Sequence, residues 1–132
     1  MEHDIDRLIL ELNATAPADP APVAPGTTAR LDRWLQHVAD RDGSDLLLVA
    51  GAPPSVRVKG AVMPLADGPL DGVDIEEAVL PALAPHARRQ YREHQIADAS
   101  YRLTGLGRFR INLHRERGRA AAAVRKIGRA HV

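Results

Sequence analysis

The chain has 132 residues, 45% of them apolar and 27% charged, with a formal net charge of +1. This is the make-up of one soluble globular domain with an extension, and the absence of cysteine excludes a disulfide framework and a thiolate metal site. The charge is unevenly spread: residues 1–107 carry a net of −6 and residues 108–132 a net of +7, so the C-terminal part calls for an acidic partner, whether nucleic acid, nucleotide or an acidic surface of the same molecule.

The chain opens M-E-H-D-I-D-R, which is acidic and lacks the basic and apolar regions of a signal peptide. With no apolar run of membrane-spanning length, a cytoplasmic protein is expected. Ile5, Leu8, Ile9 and Leu12 have helical spacing and predict a short amphipathic helix over 4–12. Residues 15–28 contain four prolines and read as an extended linker. Residues 1–29 are therefore an N-terminal extension with a Pro/Ala-rich linker, and the domain proper covers 30–126.

Leu31, Trp34, Leu35 and Val38 repeat at i, i+3, i+4, i+7 and predict a helix of about three turns, with Thr28 as N-cap and Gly43 just past its end. Leu46 to Ala50 is an apolar run suited to a buried strand, and Gly51-Ala52-Pro53-Pro54 breaks it. Val56 and Val58 alternate with Arg57 and Lys59, and Gly60 turns the chain into a strand around Val62 to Leu65. Asp67 to Gly72 reads as loop. Asp74 and Glu77 resemble a capping box that opens a helix carrying Ile75, Ala78 and Val79, which Pro81 ends or kinks. Pro85 begins another helix, running to about Gln95 with Ala87 and Tyr91 inward.

Ala99, Tyr101 and Leu103 alternate, and Gly105-Leu106-Gly107 turns into the strand Arg108 to Arg115. There Phe109, Ile111 and Leu113 alternate with Arg108, Arg110, Asn112 and His114. One face thus belongs to a core, and the other is a row of donors. That donor face is either a solvated polar surface or half of a phosphate-binding surface. Glu116-Arg117-Gly118 is a second turn. Ala120 to Val124 favours helix by alanine content, but its length and place after a turn suit a final strand. The order α-β-β-β-α-α-β-β-β predicts an α+β domain: an antiparallel sheet of about six strands with about three helices.

Self-sufficient catalytic chemistry is not visible. The pattern G-x-x-x-x-G-K-[ST] is absent, and the six histidines are scattered without metal-ligand spacing. Ser44-Asp45 reads as a local cap or turn, Arg88, Arg89 and Arg92 as the solvated face of their helix. Asn13-Ala14-Thr15 matches a glycosylation acceptor, which the lack of a secretion signal discounts. Aromatics are few: Trp34, Tyr91, Tyr101 and Phe109. Only Phe109 lies in the basic run, on the apolar face, so no stacking platform for nucleic-acid bases is expected.

Ser44-Asp45-Leu46-Leu47-Leu48 followed by Ala50-Gly51-Ala52-Pro53-Pro54-Ser55-Val56-Arg57-Val58-Lys59-Gly60 resembles the N-terminal domain of the PilT/PilU group of type IV pilus retraction (twitching-motility) ATPases, in the secretion ATPase superfamily. Ala97-Asp98-Ala99-Ser100-Tyr101, Gly107-Arg108-Phe109-Arg110-Ile111-Asn112 and Arg117-Gly118 match in the same order and spacing. Leu47 stands where the group's usual S-D-L-H has histidine, and the proline-rich extension is not typical.

The resemblance implies a PAS-like domain followed by a RecA-like ATPase domain, assembled as a homo-hexamer on the cytoplasmic side of the inner membrane, against the platform protein of the pilus. It implies ATP and Mg in the whole protein, and none bound by this stretch alone, which lacks the phosphate loop and catalytic residues and is expected to be inactive by itself. Arg110, and with it Arg108 and Arg125, match the arginines that such a domain lends to a nucleotide. No nucleic acid is expected; a stand-alone PAS-like interaction module or a basic nucleic-acid-binding domain are the alternatives. Ile127-Gly128-Arg129-Ala130-His131-Val132 reads as one frame of a common sequencing adapter. Residues 127–132 are accordingly expected to be non-native, with the chain truncated before its ATPase domain.

Overall fold

The structure, a computed structural model, describes residues 26–128. The helix expected over 4–12, Asn13-Ala14-Thr15, the linker up to Pro25 and residues 129–132 lie outside the described residues. The elements are α1 (Ala29–Asp40), β1 (Asp45–Val49), β2 (Ser55–Val58), β3 (Ala61–Pro64), α2 (Gly72–Val79), a 3-10 turn (Leu80–Ala82), α3 (Pro85–His94), β4 (Ile96–Leu103), β5 (Gly107–Glu116) and β6 (Arg119–Gly128). The expected α+β order forms.

All six strands make one antiparallel sheet in the order β3-β2-β1-β6-β5-β4. It consists of two meanders of consecutive strands joined at a β1–β6 seam. Two of its hairpins, at Lys59-Gly60 and Arg117-Gly118, have two-residue turns with positive φ at both positions: 51° and 84°, 53° and 79°. That backbone twist matches the twist of the flanking strands. The alanine run is a strand, as read, because β6 pairs with β1 on one side and β5 on the other. A bulge sets Phe109 opposite Lys126 but Arg108 opposite Gly128, which leaves Ile127 unopposed. β6 thus carries two residues beyond 126, where the domain was expected to end.

The helices cover one face. Leu46, Leu48, Val56, Ala97, Phe109, Ile111, Leu113, Ala120, Ala122 and Val124 point to it and are buried against Leu31, Trp34, Leu35 and Val38 of α1 and Ile75, Ala78 and Val79 of α2. Thr28 is the N-cap residue of α1, but its hydroxyl donates to Asp32 at 3.0 Å rather than capping the backbone. The left-handed residue after α1 is Asp42 (φ 54°), not Gly43. Gly43 is required by space instead: a Cβ there would lie 2.7 Å from Val56 Cγ1 and 2.9 Å from the Arg57 carbonyl oxygen.

The capping box of α2 sits one turn earlier than expected. The Asp71 carboxylate accepts from Asp74 N–H at 2.8 Å, and the Asp74 carboxylate accepts from Asp71 N–H at 3.0 Å. Gly72 can then open the helix close on β6, where a Cβ would come within 3.1 Å of Ala120 N. Glycine and the alanines of β6 let the helix approach the sheet closely. Pro81 ends α2 as expected, and Pro85 starts α3, which Gln95 closes in the left-handed conformation (φ 63°).

Candidate functional site

The alternation that buries Phe109, Ile111 and Leu113 sends Arg108 and Arg110 to the opposite face, which no described element covers. Strand register decides what they meet there. Ser100, Arg110, Arg125, Asp45 and Arg57 are successive cross-strand partners over β4, β5, β6, β1 and β2. Arg102 and Arg108 are partners in the adjoining row. The three expected arginines, Arg108, Arg110 and Arg125, therefore share one face, and Arg110 lies directly opposite Arg125. Like charges placed directly opposite destabilise a sheet.

Asp45 relieves part of this repulsion. It is 9% exposed, the buried charged residue among those described. Its carboxylate lies 3.4 Å from Arg125 Nε and 3.7 Å from Arg57 Nε, and accepts from Ser44 Oγ at 2.6 Å. Ser44 lies in the bend before β1, in keeping with the cap or turn read from the sequence, but Asp45 is also the anion between two arginines of neighbouring strands. Among the described residues, Arg102, Arg108 and Arg110 have no carboxylate within ion-pair distance.

The rest of the donor row is committed elsewhere. Asn112 donates to Asp98 at 3.0 Å, and its carbonyl oxygen lies 2.8 Å from His114 Nδ1. Arg115 has the other parity and joins the helix side, donating to Glu76 at 2.7 Å and to Tyr91 Oη at 3.1 Å. Tyr91 in turn donates to Glu76 at 2.6 Å. Burial foremost, and then the hydrogen bond to the Glu76 carboxylate, push the Tyr91 hydroxyl above its ordinary pKa. Hydrogen bonds to Tyr91 and Glu76 hold the Arg115 guanidinium more firmly protonated. On the same side, Tyr101 donates to Asp32 at 2.5 Å, and burial followed by that bond raises its pKa. Arg89 and Arg92 are exposed on α3 as expected, while Arg88 donates to the Leu83 carbonyl at 2.8 Å.

The open face is therefore an array of guanidinium groups, among which Arg102, Arg108 and Arg110 have no carboxylate partner among the described residues. Permanently charged, forked donors suit phosphate or carboxylate oxygens. Aromatic side chains are absent from this face among the described residues: Phe109 is buried in the core, and Tyr101 points to α1. No group of three potential metal ligands occurs among the described residues, and no described helix is long and apolar enough to cross a membrane. Sequence reading missed Arg102 and Arg57. The alternation of Ala99, Tyr101 and Leu103 already implied that Arg102 faces outward, but only strand pairing brings either residue to the site.

No family model matches the chain. It is 32% identical over 96 residues to the type IV pilus ATPase PilU of Pseudomonas aeruginosa, covering 73% of this chain and 25% of that protein. It is also 32% identical over 93 residues to the type IV pilus retraction ATPase PilT of the same organism, covering 70% of this chain and 27% of that protein. The chain thus spans about a quarter of the length of the curated relatives it matches. A crystal structure of the pilus retraction motor PilT with bound ADP superimposes with a TM-score of 0.67 at 32% identity, over 74% of this chain and 29% of that one. The Legionella pneumophila ATPase DotB shares the fold, with a TM-score of 0.66 at 21% identity over 85% of this chain and 31% of that one. The chain is homologous to the N-terminal region of the pilus ATPases PilU and PilT, and the six strands and three helices of its described residues match the fold of the PilT N-terminal domain.

Proposed function

We propose that this domain lends arginines and an interface surface to a hexameric, ATP-driven pilus retraction motor, with Arg110 directed at the phosphates of ATP and Arg108 and Arg125 beside it. The observation that carries this reading is the like-charge pair Arg110–Arg125, opposed across β5 and β6 with one arginine unneutralised. An arrangement that disfavours the free sheet becomes favourable once an anion bridges it. Asp45 then acts as a positioning residue, because it holds Arg125 to the sheet and leaves Arg110 uncommitted.

The donor set fits phosphate and not Mg²⁺, which an array of guanidinium groups repels. Mg²⁺ and the phosphate loop accordingly belong to a RecA-like ATPase domain, and hydrolysis needs both domains. When phosphates are bound, Arg110 orients them and offsets charge that develops on their oxygens. On this reading the motor stands on the cytoplasmic side of the inner membrane, facing the pilus platform. In the ATPase that carries this domain, Arg110→Ala is expected to lower turnover while the domain stays folded. Wild-type turnover in that variant overturns the assignment.

A further inference from the structure

We propose that the acidic N-terminal segment of this same chain docks on the arginine-bearing open face of the sheet. The contact itself does not depend on the nucleotide assignment, although it engages the same side chains.

Charge is the first argument. Residues 1–12 hold Glu2, Asp4, Asp6 and Glu11 against Arg7 alone. The open face presents Arg102, Arg108 and Arg110 with no carboxylate partner among the described residues. The second argument is apolar surface. Ile5, Leu8, Ile9 and Leu12 recur at helical spacing. Further along the strands from the arginine rows, Leu47 and Val49 of β1 lie opposite Ala123 and Ala121 of β6. Val49 is 51% exposed, and Ile96 at the end of β4 is 46% exposed. The two alanines form a shallow floor between the side chains of β1 and those of Asn112 and His114 on β5. A helix over 4–12 would be about 13 Å long, and strands lie about 4.8 Å apart, so it matches the width of this patch.

The third argument is reach. The Tyr101–Asp32 hydrogen bond holds the first turn of α1 against β4, an edge strand. The next residue of β4, Arg102, points to the opposite face. Ahead of α1, Gly26 lies on the helix side, where it lines a cavity with Val73 and Leu80, so the chain has the rim of the domain to pass round. Residues 13–25 can extend to about 40 Å at roughly 3.1 Å per residue, against a radius of gyration of about 13 Å for a domain of this size. Tethering at this range gives an effective concentration on the order of millimolar, so weak contacts suffice. Once docked, the segment covers Arg108 and Arg110, and any other anion or subunit that uses them must displace it.

The chain has no cysteine, so His3→Cys gives one site for a nitroxide in the full 132-residue protein. Amide spectra should lose the signals of Leu47, Arg108, Arg110 and Ala123 and keep those of Leu35 and Val38. Rising salt should restore them. Arg102→Glu with Arg108→Glu should abolish the loss, and adding Asp4→Arg with Asp6→Arg should bring it back. If the double glutamate variant does not fold, Asp4→Arg with Asp6→Arg alone must abolish the loss. Uniform spectra, or a loss confined to Val73 and Leu80 on the helix side, overturn the proposal. So does a loss that appears when nitroxide-bearing and isotope-labelled chains are separate molecules, which would make the occupant a second copy. Arg110→Ala turnover is read in a different assay, so the two assignments fail independently.

Discussion

The two faces of the sheet treat the same side chain in opposite ways. On the helix-covered face, Arg115 ends on Glu76 and Tyr91, Arg30 lies 3.7 Å from Asp74 and 5.1 Å over the Trp34 ring, and Arg33 lies 3.7 Å from Asp67. On the open face, Arg102, Arg108 and Arg110 lack any such partner among the described residues, and one acid, Asp45, serves two arginines. Folding chemistry accounts for the first arrangement: helices must be fastened to a sheet, and their rims carry complementary charge. It does not account for the second, in which cations oppose cations within a sheet. The difference separates arginines that build the domain from arginines held ready for something else.

Neighbouring residues of β5 give the sharpest way to break this contrast. Phe109 is fully buried, and Phe109→Ala should destabilise the domain by about 3–5 kcal/mol in urea unfolding. A loss below about 1 kcal/mol would mean that the helix-covered face is not a packed core. Asp45→Asn should cost about 1–2 kcal/mol, since it removes charge-assisted hydrogen bonds at a buried position. If it costs nothing, the open face does not rely on that acid.

The helix side has a smaller signature at alkaline pH. Tyr91 and Tyr101 have folded-state pKa values raised above 10.0, the value for the unfolded chain. Their contribution is complete below pH 10 and is lost as pH rises through the folded values, because the unfolded chain releases those protons first. Unfolding free energy should fall with pH above about 10, and Tyr91→Phe with Tyr101→Phe should flatten that fall. An unchanged slope would remove these hydroxyls from the account. Least of all, Arg110→Ala should change stability by no more than about 0.5 kcal/mol, in the stabilising direction as the opposed charges part. A clear destabilisation would place Arg110 among the residues that build the domain.

Periodicity carried most of the fold. The strand at Phe109, Ile111 and Leu113 and the helix at Leu31, Trp34, Leu35 and Val38 announce their buried sides in the sequence, because burial repeats at the period of the backbone. The alanine run was legible only through its length and the turn before it, since alanine's own preference points to helix. The α2 cap is ambiguous in the sequence because Asp71/Asp74 and Asp74/Glu77 both have the required spacing. The close approach of Gly72 to Ala120, a tertiary fact, goes with the first pair. The site divides the same way. Arg108 and Arg110 follow from alternation, whereas Asp45, Arg57 and Arg102 reach the site through pairings that local pattern does not encode. Asn112 and His114 resemble free anion donors because nothing local reveals that Asn112 donates to Asp98 across the sheet while its oxygen meets His114.

The seam between the two meanders also sets a time order. Pairings within a meander join residues no more than 20 positions apart, as in Arg108 with Gly128. Those across the seam join residues 72 to 80 apart, from Val49 with Ala121 to Asp45 with Arg125. Closing a long loop costs more entropy than closing a short one, and local hairpins form on the microsecond scale. The meanders are therefore expected to assemble first and the seam last. Arg110, held within the later meander, then stands opposite Arg125 before Asp45 arrives to neutralise it, so the completion of folding and the quieting of that repulsion are one event.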